Sequence, residues 1–130
     1  MKLAANIAGG ILGFIFGALA LMFLLNMFPE MPKPPEGSAQ AHFFAAFGPT
    51  GYLKFVKVLE LVGGILVAIP LTRNLGLLIL GPIMVNILAF HFFVTTPADL
   101  LNPMIIGLCA LLLFLLWAER HAFAGLVKRS

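Results

Sequence analysis

Charge is what this chain has least of. Only 10% of its 130 residues are Asp, Glu, Lys or Arg, while 62% are hydrophobic. Soluble domains carry roughly 25% charged residues. A water-soluble fold of this length could not hide so much apolar surface, so lipid must be the solvent for much of it. Cysteine is almost absent as well. The single Cys109 excludes an intrachain disulfide and any paired-cysteine redox motif, and in its all-apolar run it reads as a small buried hydrophobe. Histidine is sparse and scattered, at His42, His91 and His121. No HExxH, paired-histidine helix, phosphate-binding glycine loop or nucleophile elbow occurs, so no metal or haem site is expected. The net charge of +3 is small and dispersed, which argues against nucleic acid as a partner.

What the chain does have is apolar length. Four runs, at residues 3–28, 51–70, 76–95 and 103–119, come near the ~20 residues a helix needs to cross a bilayer. A lone span must satisfy its own backbone, so each is expected to be helical. The link PLTRN at residues 70–74 is tight, and TTPADLLNP at residues 95–103 is short and turn-rich. The expected fold is therefore all-α: one membrane domain over residues 1–130, an up-down bundle of four transmembrane helices. The first run is much longer than the apolar region of a signal peptide, and reads as a retained span.

Lys and Arg near the span ends orient the bundle. With both termini cytoplasmic, the inner side holds Lys2, Arg73, Arg120, Lys128 and Arg129 against Lys33, Lys54 and Lys57 outside. A bacterial plasma membrane is the expected location. The outer loop, residues 29–50, starts proline-rich; its second half sets Phe43, Phe44 and Phe47 at helical spacing. That pattern suggests a short amphipathic segment lying as a lid at the outer surface. An ordinary apolar loop is the alternative. Gly9, Gly13 and Gly17 recur every fourth residue, a small-residue face for close helix contact. Pro82 is expected to kink the third helix.

Polar groups inside a membrane are costly and usually face the interior with a partner. Placed by depth at ~1.5 Å per residue, Glu60 lies about 13 Å below the outer end of its span and Asn86 about 12 Å below the end of the next. Lys57 lies one turn from Glu60, His91 sits higher, and Asn26 ends the first span. Asn26, Lys57, Glu60, Asn86 and His91 thus form the candidate site, a pocket open outward and floored by Glu60 and Asn86. The competing reading is structural: Lys57 and Glu60 can neutralise each other, and Asn86 can serve only to join helices. Asn86 and His91 are also about 140° apart around the helix axis.

The run LELVGGILVAIPLTRNLGLLILGPIMVNILAFHFF, residues 59–93, resembles the DoxX-like family of small four-span bacterial membrane proteins. The resemblance falls on Glu60 followed by Gly63-Gly64, and on Pro82, Asn86 and His91. LLNMFPEMPKPP, with Asn26, is similar to the family's exit into a proline-rich outer loop. The resemblance implies an association with membrane redox chemistry, and its thiol branch is disfavoured by the lone cysteine. The expected function is a redox-associated or small-molecule-binding accessory subunit, with a quinone as candidate ligand and no catalysis by this chain alone. Its partners would be the bilayer, a membrane redox protein or a second copy. The alternative is a non-enzymatic scaffold, or a chaperone-like partner of another membrane protein. A transporter fits least, because no internal repeat or interrupted helix pair is visible.

Overall fold

The computed structural model describes residues 2–27 and 34–127, and over these the chain is all-α. The expected end of the first span at Phe28 and the start of the outer loop, with Lys33, lie outside the described residues. So do Lys128 and Arg129. Six α-helices follow in order: α1 (Lys2–Leu24), α2 (Ala39–Phe47), α3 (Tyr52–Ala68), α4 (Arg73–Ala89), α5 (Pro103–Ala118) and α6 (Arg120–Val127).

Local chemistry sets these boundaries. Asn26 stops α1: it takes φ 55°, the left-handed conformation that Asn tolerates better than most residues. Around it the Met27 N–H bonds Met22 O at 2.8 Å and the Asn26 N–H bonds Phe23 O at 3.1 Å, a Schellman motif. The Ser38 hydroxyl caps α2 by accepting from the Ala41 N–H at 3.1 Å. Pro70 ends α3 and opens a one-turn 3₁₀ link, Pro70–Thr72, tied back by the Thr72 hydroxyl to Leu66 O at 2.8 Å. Asn102 Oδ1 accepts from the Met104 N–H at 2.9 Å and Pro103 takes the first helical position of α5.

Helices α1, α3, α4 and α5 pack in a closed cycle, with α1 against α3 and α3 against α4 the most extensive contacts. Glycine sets the register. Gly13 meets Gly64 and Ala68, Gly17 lies beside Gly64, and Gly9 lies beside Val67, so α1 and α3 run antiparallel with their backbones nearly touching. On the other side of α3, Gly63 receives Leu80 and Gly76 receives Val67, again antiparallel. Leu12, Phe16, Leu77, Leu80, Met84, Leu112 and Leu115 fill the space between. Large apolar side chains also point outward: Leu3, Phe14, Val85 and Phe93 are each more than two-thirds exposed. A helix apolar on its outer side as well as its inner side belongs in lipid or in a large core.

By length and composition, α1 and the continuous run Pro70–Val94 can cross a membrane, and α5 with α6 make a third if that bent pair is one span. This is fewer than the four full-length spans expected. Helix α3 is cut to 17 residues between Gly51 and the Pro70 turn, about 26 Å of rise. Helix α5 has 16 residues, and α6 leaves it at 74°. The third run begins earlier than expected, and Pro82 lies within a run that stays helical from Pro70 to Val94. Its last turn, Phe90–Val94, widens to a π-turn in which the Thr95 N–H reaches Phe90 O at 3.2 Å. Helix α2 rests on that turn through Phe43, whose ring centroid is 4.9 Å from that of Phe90.

Candidate functional site

Lys57 and Glu60 are brought together. One turn apart on α3, they form an ion pair with Nζ 3.0 Å from Oε2. The Glu60 side chain is 6% exposed and that of Lys57 31%. The ammonium also lies 5.4 Å from the centre of the Phe23 ring, a cation–π contact across to α1. A carboxylate this deep is costly unless paired, and Lys57 supplies the pairing from the same helix. Phe23 was not among the expected residues; nothing in its spacing separates it from the other phenylalanines of the first run.

The remaining three go elsewhere. Along the α3–α4 register Asn86 falls level with Lys57, one turn nearer the outer end than Glu60, and its side chain is exposed. It therefore faces outward and does not floor a pocket with Glu60. The reason is rotational: Met84 and Leu80 hold the buried face of α4, which turns Asn86 to the outside. His91 is half-buried in the π-turn, and its Nδ1 lies 2.9 Å from Ile87 O. A carbonyl only accepts, so Nδ1 carries a hydrogen and donates it. Asn26 is exposed and occupied with ending α1. Its role is conformational, and it reaches neither Glu60 nor a pocket wall by any hydrogen bond among the described residues.

Near His91 the turn contributes a residue that the sequence reading missed. Asp99 sits in the one-turn helix Pro97–Leu101. The Thr95 side chain holds its carboxyl below the usual carboxylate range, with the Thr96 backbone and the charge of His91 adding to the effect. Thr95 itself bonds His91 O at 2.9 Å. His91, Thr95 and Asp99 thus make a small polar cluster at the outer end of α4, in the turn-rich link where short polar residues are unremarkable.

The opposite end of the bundle holds the deepest positive charge. Arg73, the first residue of α4, is 3% exposed. Its Nε donates to Val67 O at 3.2 Å, while Nη2 is buried with no partner among the described residues. The guanidinium lies across Gly9, where a Cβ would come within 2.7 Å of Nε. A cavity of about 260 Å³ opens beside it, lined by Lys2, Asn6, Pro70, Arg73 and Glu119 among others. In the sequence Arg73 reads only as an inner positive charge; its burial depends on Gly9, 64 positions away in the chain. Among the described residues no group of three or more His, Cys, Asp or Glu is placed to hold a metal.

Comparison with known proteins adds one likeness. No family model matches the chain, and no solved structure matches it. Over 121 residues it is 28% identical to a protein of Bacillus subtilis (strain 168) described as "Uncharacterized protein YwoB", covering 90% of this chain and 75% of that one. The likeness thus runs along nearly the whole chain without assigning it to a family.

Proposed function

We propose that the chain is a bacterial plasma-membrane protein of four spans with both termini cytoplasmic. It serves as a non-catalytic accessory subunit, docking another membrane protein through the outer half of α4. The observation that carries this reading is the exposed Asn86. It lies within a run long and apolar enough to cross a membrane, beside Val85, which is 67% exposed. An amide facing hydrocarbon leaves two donors and an acceptor unmet, and such groups join helices by hydrogen bonding across an interface. The partner is accordingly a transmembrane helix that offers a hydrogen-bonding side chain at that depth. The cyclic packing of α1, α3, α4 and α5 and the excess of Lys and Arg on the inner side support the four-span arrangement. The DoxX-like pattern of Glu60, Gly63, Gly64, Pro82, Asn86 and His91 is in keeping with it.

A photo-crosslinking residue at Val85 in native membranes tests the proposal. The expected result is a discrete protein adduct, which Asn86→Leu weakens roughly fivefold, the equivalent of about 1 kcal/mol. Adducts to lipid alone, or an adduct indifferent to Asn86→Leu, would overturn it. An adduct of twice the chain mass would identify the partner as a second copy.

The quinone-binding reading keeps one specific support, the His91 Nε2 at the outer end of α4, which makes no hydrogen bond among the described residues. Mass spectrometry of the purified protein for a co-purifying quinone tests it, and His91→Ala should abolish any such signal.

A further inference from the structure

The buried Arg73, whose Nη2 meets no partner among the described residues, points to a second site, at the other end of the bundle from Asn86 and independent of the docking face. We propose that the cavity beside Arg73 binds a phosphate oxyanion. Three elements converge on it: Lys2 and Asn6 from α1, Pro70 and Arg73 from the α3–α4 turn, and Glu119 from the end of α5. Arg73 is buried to within 3% of full enclosure, yet its Nη2 meets no acceptor among the described residues. A buried guanidinium is costly unless acceptors or an anion surround it, and among the described residues Val67 O is its one acceptor.

The surroundings are those of an anion site. Lys2 adds a second positive charge and Asn6 an amide donor. Gly9 provides the space, since any side chain there would displace the guanidinium. Glu119 is the one acidic wall. It lies within no ion-pair distance of Arg73 among the described residues, and its charge weakens the hold of the cavity on an anion. The phosphate could arrive free in solution or as the headgroup of an inner-leaflet phospholipid.

The test uses the full-length protein, delipidated in a sugar-based detergent, with sodium phosphate compared against sodium chloride at equal ionic strength. A saturable rise in the thermal midpoint with phosphate, weakened about fivefold or more by Lys2→Gln, identifies a free-phosphate site. No such rise, but one phospholipid retained per chain in native mass spectrometry and lost in Lys2→Gln, identifies a headgroup site. Glu119→Gln should tighten either form of binding severalfold, because a like charge leaves the wall. Neither effect in the wild-type protein overturns the proposal, as does either effect persisting undiminished in Lys2→Gln. A fall in midpoint for Glu119→Gln without tighter binding also overturns it, because Glu119 would then be the internal counterion of Arg73. Lys2 and Glu119 lie at the rim, so these variants keep the test decisive even if Arg73→Gln fails to fold.

Discussion

Lys57 and Glu60 are unequal partners, and substitution should expose the difference. Removing one member of a buried pair costs about 3–5 kcal/mol when both are enclosed. Lys57 is nearly a third exposed, so Lys57→Met should cost less, about 2–3 kcal/mol. That loss is the cost of leaving the Glu60 carboxylate buried and alone. The double variant Lys57→Met, Glu60→Met should recover most of it, since no charge then remains to desolvate. Thermal unfolding in detergent, followed by circular dichroism, reads the cycle; a double variant as unstable as the single would show that the pair is not what stabilises this turn. This pairing was legible, because three residues on one helix fix a neighbour almost regardless of tertiary structure. Asn86 was legible in depth only to within a turn, since it lies level with Lys57 and not with Glu60, and not at all in direction. Depth follows from counting along the helix, whereas direction depends on which face Leu80 and Met84 bury.

Among the elements, the contact between α1 and α3 rests on glycine, and two neighbouring positions separate packing from propensity. A Cβ on Gly13 would strike the Gly64 carbonyl and Ala68 Cβ, while one on Gly10 would meet nothing within 4 Å. Gly13→Ala should therefore push the helices apart and cost about 1–3 kcal/mol. Gly10→Ala should be neutral, or stabilise by up to about 1 kcal/mol through helix propensity. Equal unfolding midpoints for the two variants would contradict the close approach. The recurrence of Gly9, Gly13 and Gly17 was readable as a packing face, but not what each glycine receives: backbone at Gly13, a guanidinium at Gly9, and only a distant Leu61 methyl at Gly17. Two other features left no periodic signal. The π-turn at Phe90–Val94 arises inside an unbroken apolar run. Helix α6 is short, and the 74° bend before it coincides with the Glu119–Arg120 break, where Arg120 stacks 4.5 Å over Trp117.

For the molecule as a whole, the all-α class and the membrane character followed directly from composition, since no soluble core could absorb so many apolar side chains. The number of full-length spans did not, because a run of apolar residues says nothing of where Gly51, Pro70 and Glu119 will end a helix. The proposed orientation makes a direct prediction for alkaline phosphatase fusions, which are active only outside the cytoplasm. A fusion at Gly37 should be active, and fusions at Leu71 and Gly125 inactive; the opposite pattern would invert the molecule. The short turn between α3 and α4 bears on how such a chain would enter a membrane at all. Helix α3 carries Lys54, Lys57 and Glu60 within 17 residues, a poor substrate for insertion by itself, given that each charge at a helix centre costs about 2.5–3.5 kcal/mol. Its neighbour α4 carries no charge after Arg73, and the Pro70–Thr72 link leaves no length for the two to part. In the four-span arrangement they would have to leave the translocon as one hairpin, with the apolar α4 drawing α3 in behind it, so a longer linker there would strand α3 during biogenesis while leaving the finished fold almost untouched.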